Sequence, residues 1–262
     1  MRLSVLETGG ASAASQSNVI LLHGLLGRAR NLGILQRALS PFFRTISLDL
    51  RSHGSSPHDV MTYPSMVEDV LETLDQLNIH KAAFFGHSMG GKVAMALALS
   101  APERVTKLCV ADIAPAPMHH GSRQLIETLS TLSLPALQNR TELRNFLLPS
   151  CGNDDIANLV GQNISPGAPA QWDIGFDDIT RSLDAIEGWP STLLTRHWDG
   201  PVLFIKGEFS PYIEPQHHDL IHKLFPKAKI RTLAGTNHWL HIEKPVLFNQ
   251  MVLDFFEGRH AS

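Results

Sequence analysis

Residues 82–101 read Ala-Ala-Phe-Phe-Gly-His-Ser-Met-Gly-Gly-Lys-Val-Ala-Met-Ala-Leu-Ala-Leu-Ser-Ala. The first four form a short apolar run ended by Gly86, the pattern of a strand covered on both faces. Met89–Ala101 is small or apolar nearly all round, which predicts a helix buried against a sheet and stopped by Pro102. Between them, Gly86-His87-Ser88-Met89-Gly90 matches G-x-S-x-G. Strand, sharp turn and helix are the context this motif requires. Glycine at both flanks leaves room for a turn too tight for side chains. The turn lifts the Ser88 hydroxyl, and the helix N-terminus beneath it favours a developing negative charge. Ser88 is the candidate nucleophile.

A rival reading uses the same residues. Gly86–Lys92 also fits G-x-x-x-x-G-K, the opening of a phosphate-binding loop. Such a loop needs Ser or Thr next, to hold magnesium, and this chain has Val93. No G-x-G-x-x-G occurs either, so the nucleotide reading is set aside.

Working outward, further short apolar runs lie at Val19–Leu22, Thr45–Leu48, Val105–Ala111, Val202–Ile205 and Ile230–Leu233. A short first strand is expected before them, followed by a loop at Gly9–Ser17. Ser65 and Glu68 have capping-box spacing, and Val67, Val70, Leu71, Leu74 and Leu77 follow with helical period. Strand and helix alternate, so the expected class is α/β, with a mostly parallel central sheet flanked by helices. The alternation lapses in residues 115–200. There Leu125, Leu129 and Leu132 mark one helical face, and Ser165–Ala170 is broken by Pro and Gly. We read residues 1–114 and 201–262 as the core and 115–200 as a helical cap inserted between two strands. The plainer alternative is extra helices on a doubly wound sheet.

Composition excludes several classes. With 22 Lys+Arg against 25 Asp+Glu, the formal charge is −3, and no basic run offers a footprint for nucleic acid. No apolar stretch is long enough to span a membrane. Residues 1–10 do not resemble a secretory signal. Cys109 and Cys151 make no disulfide framework, and the chain reads as cytoplasmic. A chain of 262 residues buries about 73% of its unfolded surface, enough for a core without staples.

Two further segments suit acyl chemistry. His23-Gly24-Leu25-Leu26-Gly27 follows an early strand. A loop there can aim the Leu25 N–H at the point addressed by the Met89 N–H, and two such donors make an oxyanion hole. Asn237-His238-Trp239 follows the last strand-like run, where His238 can act as general base.

With these motifs in place, the sequence resembles the α/β-hydrolase superfamily over nearly its whole length. Gly86–Gly91, His23-Gly24, Asp49–Ser55 and Gly235–His238 stand where that family has its motifs, and the order Ser, carboxylate, His is the family's. More narrowly it resembles the YbfF-type esterases, small bacterial hydrolases of acyl esters and thioesters, through Ser210-Pro211-Tyr212 and His238–Pro245.

The acid departs from the common pattern. Most relatives carry Asp in G-x-x-D after the strand equivalent to Val202–Ile205. Here that pattern reads Gly207-Glu208-Phe209-Ser210, and a neutral hydroxyl holds the acid's place. Asp112, at the end of the strand following the nucleophile helix, is the expected acid, because strand ends on the carboxyl edge gather catalytic groups. Glu208 is the alternative, and a chain without an acid the third. The resemblance to the YbfF-type group implies Asp112, with Ser210 as a hydrogen-bonding helper.

Other candidates carry less. His217, His218 and His222, and the pair His119-His120, lack a zinc-site pattern, and no metal or organic cofactor is expected. Asp49, Arg51 and His53 are expected to shape a turn. Trp172, Phe176, Trp189 and Trp198 are candidate walls of an acyl pocket, or simple packing. The expected activity is serine carboxyl-ester hydrolysis on short- to medium-chain acyl esters, including acyl-CoA thioesters, by a monomer or small homo-oligomer. A C–C bond hydrolase or lactonase, with a cation clamp from Arg123, Arg144 or Arg181, is the second reading. A non-catalytic ligand receptor is the third.

Overall fold

The computed structural model describes residues 1–9, 17–118 and 122–259. Most of the expected Gly9–Ser17 loop, and the pair His119-His120, lie outside the described residues. The elements in chain order are β1 (Ser4–Thr8), β2 (Asn18–Leu22), α1 (Gly33–Leu39), β3 (Arg44–Asp49), α2 (Tyr63–Gln76), β4 (Ala82–His87), α3 (Met89–Ser100) and β5 (Val105–Ala111). Then come α4 (Ser122–Ser130), α5 (Arg140–Cys151), α6 (Asp154–Gly161), β6 (Ile164–Ser165), β7 (Gln171–Trp172) and α7 (Phe176–Glu187). The chain closes with β8 (Val202–Gly207), α8 (His218–Leu224), β9 (Ala228–Leu233), α9 (Leu240–Glu243) and α10 (Pro245–Glu257).

Seven strands form one sheet in the order β1-β3-β2-β4-β5-β8-β9. Within this sheet, among the described residues, β1 runs antiparallel to its neighbour and the other pairings are parallel. The period of two explains why the central strands are apolar throughout. Ile20, Leu22, Phe84, Val110 and Phe204 point into the core beneath α2 and α3. Their neighbours Val19, Leu21, Phe85, Cys109 and Ile205 point into the core beneath α1 and α10, where Phe248, Val252 and Phe256 meet them. Each strand is sandwiched, so each of its side chains is removed from water.

Helix α3 is buried at every position but Ser100. Its glycines let it lie directly on the sheet: a Cβ on Gly90 would fall on the carbonyls of Leu22 and His23. Helix α2 starts earlier than the expected Ser65–Glu68 box. Thr62 is its N-cap, and Ser65 is the box partner. The Thr62 hydroxyl already satisfies the Ser65 N–H, so Glu68 lies inside the helix.

Between β5 and β8 the chain forms α4–α7 and one short antiparallel pair, β6 with β7. At two residues each, these strands are too short to show a period in sequence. Ile126, Leu129, Leu147, Ile179 and Leu183 join the same apolar core as α3. Buried hydrogen bonds tie this region to the loop after β2 and to the start of α2. Asn163 Nδ2 donates to Leu26 O at 2.7 Å, Tyr63 Oη to Ile186 O at 2.5 Å, and Met61 N to Ser182 Oγ at 2.7 Å. No helix among the described residues is long and apolar enough to cross a membrane.

Candidate active site

The parallel strands end on one edge of the sheet, and the singled-out residues follow those ends. Ser88 follows β4, Asp112 follows β5, Ser210 lies three residues past β8, and His238 lies five past β9. Leu25 lies three residues past β2.

Ser88 has φ 52° and ψ −121°, a conformation a non-glycine residue adopts only under constraint. Its N–H donates to Ala111 O at 3.0 Å, and its carbonyl accepts from Lys92 N at 3.1 Å as the first turn of α3. A Cβ on Gly86 would fall on the carbonyl of Gly90, so only glycine permits strand and helix to approach this closely.

The loop after β2 presses on this elbow. A Cβ on Gly24 would lie 3.0 Å from His87 Nδ1 and 3.2 Å from Ser88 Cβ. Two buried histidines brace the loop. His23 Nδ1–H donates to Gly24 O at 2.8 Å, and His23 Nε2 accepts from Leu50 N at 2.9 Å. His53 Nδ1–H donates to Arg51 O at 2.9 Å, and its Nε2 accepts from Leu26 N at 3.2 Å. Accepting at Nε2 requires neutral rings. Burial enforces the same state, pulling His53 down to about 3 and His23 below its ordinary value. Asp49 accepts from Ala29 N at 2.6 Å and Ser55 N at 2.9 Å, while Arg51 pairs with Asp69. Asp49 and His53 hold the turn, while the Arg51 guanidinium reaches Val60 O, Ser65 O and Asp69 and so ties the turn to α2.

His238 Nδ1–H donates to Asp112 Oδ2 at 2.8 Å, which leaves Nε2 as its basic nitrogen. Asp112 is fully buried, and its carboxylate is satisfied on all sides. Oδ1 accepts from Gly207 N at 2.9 Å, and Oδ2 also accepts from the Ser210 hydroxyl. Glu208 turns away, accepting from Gly235 N at 2.6 Å on the exposed surface. The structure therefore sets Asp112 and Ser210, and not Glu208, against His238.

Sequence reasoning missed two neighbours of His238. Tyr212 stacks on its ring, with centroids 3.9 Å apart and an 18° tilt. Burial, and then Asp112, push the Tyr212 phenol up to about 12, so it stays neutral. His87 Nε2–H donates to His238 O at 3.0 Å, and burial holds that ring neutral as well. The G-x-S-x-G spacing contained His87 without assigning it a task.

Ser88, His238 and Leu25 line one cavity of about 440 Å³. Leu125 and Thr128 of α4, Cys151 of α5 and Leu159 of α6 form its far wall. A smaller space of about 50 Å³ lies behind Ser88, against Lys92, Tyr63 and Ile186. Of the two readings of the aromatic residues, packing holds, and none of the four lines this cavity. Trp172 packs edge-on against Phe176, Trp189 lies by Tyr63, and Trp198 is buried in the core; Trp239 lines the cavity instead. The cation clamp that the second reading calls for is absent from the cavity among the described residues. Arg123 pairs with Asp184, Arg144 with Asp154 and Arg181 with Asp178. His217 Nδ1 accepts from Glu214 N at 3.0 Å as a turn cap, and no group of three or more His, Cys, Asp or Glu among the described residues is placed to hold a metal.

Comparison with known proteins agrees with this geometry. Residues 19–251 match the model of the alpha/beta hydrolase family. The chain is 34% identical over 247 residues to the esterase YbfF of Escherichia coli strain K12, covering 94% of this chain and 95% of that one. It is 34% identical over 262 residues to an sn-1-specific diacylglycerol lipase of Xenopus laevis, covering 92% of this chain and 80% of the lipase. It superposes on the solved structure of a marine microorganism esterase with a TM-score of 0.90 at 32% identity, covering 97% of this chain and 99% of that one. By the family model, by relatives named as esterase and lipase, and by its parallel sheet, this chain belongs to the alpha/beta hydrolase family, as an enzyme of the esterase and lipase type.

Proposed function

We propose that the protein hydrolyses short- to medium-chain carboxylic esters, and thioesters of the same acyl groups, through an acyl-enzyme on Ser88. The observation that carries this is the bond from His238 Nδ1 to buried Asp112 beside a cavity that also exposes Ser88 on a strained turn. His238 Nε2 takes the Ser88 proton as Oγ attacks the acyl carbon. The carbonyl oxygen gains the electron pair and is held by the N–H groups of Leu25 and Met89. The intermediate collapses, and His238 returns the proton to the departing alcohol or thiol. Water then attacks the acyl-enzyme with the same base, releasing the acid and restoring Ser88. Asp112 orients His238 and faces its charged form in both halves, and Ser210 and Gly207 N–H satisfy the buried carboxylate oxygens.

Residues 115–200 act in this reading as a cap that sizes the acyl site. The cavity of about 440 Å³ lies in the range of small-molecule pockets. Buried Cys109 and Cys151, both unpaired, suit a reducing compartment such as the cytoplasm. The test is hydrolysis of p-nitrophenyl esters across acyl lengths, with Ser88→Ala alongside. The expected result is turnover of short or medium esters and a loss of about 10⁴-fold or more in the variant. Equal rates in the two proteins would refute the serine mechanism.

A further inference from the structure

A second concavity, of about 330 Å³, lies on the other side of the α5–α6 pair from the catalytic cavity. Asn158 and Leu159 are neighbours in α6, yet Leu159 faces the catalytic cavity and Asn158 the second one. Three arginines line it from two parts of the fold: Arg30 from the turn before α1, and Arg140 and Arg144 from α5. Gln162 and Asn158 add amides, and among the described residues no Asp or Glu lines the space. Arg144 shares its charge with Asp154 at 2.6 Å, while Arg30 and Arg140 have no ion-pair partner among the described residues.

The charges lining the space are all of one sign, and a concave surface of that kind attracts an anion. Guanidinium forks match the oxygens of phosphate in pairs, and side-chain amides complete such a shell. Leu143 supplies an apolar wall, which weakens the competition from water. We propose that this pocket is a binding site for a phosphate-bearing group. Two sources share that chemistry. The phosphate belongs either to a separate small molecule or to the leaving-group side of the substrate, and the latter rests on the hydrolase mechanism proposed above.

The experiment is calorimetric titration of the whole protein with inorganic pyrophosphate at low salt, using wild type, Arg140→Ala/Arg144→Ala and, separately, Arg30→Ala. The expected result is saturable binding that weakens about tenfold or more in the double variant, as for loss of charge-assisted bonds, and that fades as salt rises. Arg30→Ala, which changes the sheet side only, weakens it in the same direction. Thermal melting checks that each variant is folded. No binding by the wild type, or equal binding by folded variants, overturns the site. The source is read from KM for one acyl group on two thiols, one phosphorylated and one not. A rise in KM confined to the phosphorylated thioester in the double variant assigns the phosphate to the substrate; unchanged KM with pyrophosphate binding intact in the wild type assigns it to a separate ligand. If p-nitrophenyl esters are turned over but pyrophosphate does not bind, the anion site alone falls.

Discussion

Ser210 donates its hydroxyl hydrogen to Oδ2 of Asp112, the same oxygen that receives Nδ1–H of His238. One buried carboxylate oxygen thus serves a neutral donor and the catalytic imidazole together. The hydroxyl is a neutral donor and adds no second charge beside the imidazole. Ser210→Ala is expected to leave the Asp112–His238 contact in place but to lower stability by about 1.5–3 kcal/mol, the range for a hydrogen bond to a charged group. Chemical denaturation measures the stability; turnover falling less than in an Asp112 variant supports the helper role.

The acid itself is tested by comparison. Asp112→Asn keeps an acceptor for Gly207 N–H but removes the charge facing His238. Turnover of a p-nitrophenyl ester is expected to fall about 10³- to 10⁴-fold, as when a serine-protease triad loses its acid. Glu208→Gln is expected to change it by less than about threefold, because Glu208 only caps the Gly235 N–H at the surface. Asp112→Asn combined with Ser210→Asp returns a carboxylate beside His238, and partial recovery of turnover is expected. Equal, small effects of the two single changes would show that the acid is misassigned.

Lys92 predicts a dependence of stability on pH. Its ammonium is buried one turn into α3 and donates to Glu187 O at 3.0 Å and Gly188 O at 2.7 Å, at the end of α7. Burial pulls its pKa from 10.5 down to about 7, with Glu187 opposing the shift. Below about pH 7 the folded and unfolded chains both hold the proton, and the burial penalty is complete. Between about pH 7 and 10.5 the unfolded chain holds it more firmly, so this group makes stability rise with pH. Lys92→Met is expected to flatten that rise relative to wild type. Denaturation at about pH 7 and about pH 9.5 measures it, and parallel curves would show that Lys92 is not the group responsible.

Close packing at the elbow gives a sharp contrast between two glycines. Gly90→Ala would set a methyl on the backbone of Leu22 and His23, which cannot yield without moving β2. A loss of about 3 kcal/mol is expected. Gly161→Ala, at the end of α6, meets only Leu147 Cδ1 at 3.5 Å and is expected to be neutral or to stabilise by up to about 1 kcal/mol. Thermal unfolding of both variants checks the difference.

Much of the fold was legible in sequence because the central strands are buried on both faces. Val105–Ala111 reads as one apolar run broken only by Thr106 and Lys107 near its start, and the strand has the same bounds. The Ser65–Glu68 box misled because a second capping residue, Thr62, stood three positions earlier. The cavity's aromatic wall was illegible for another reason. Trp172, Trp189 and Trp198 carry the same apolar signal whether they face a ligand or a neighbour, and only packing distinguishes the two.

The sequence by itself determined the elbow at Ser88, since a G-x-S-x-G between an apolar strand and an apolar helix has few ways to fold. It also confined the base to the loop after the last strand. The sequence put Asp112 ahead of Glu208 as the acid, and the meeting of Asp112 with His238 is made by tertiary structure. Asp112 and His238 are 126 residues apart, and Asp112 and Ser210 are 98 apart. They meet because β8 lies between β5 and β9, with all three strands running in parallel and their carboxyl ends level. The order of strands in a sheet is a property of how the layers pack, and no local spacing encodes it.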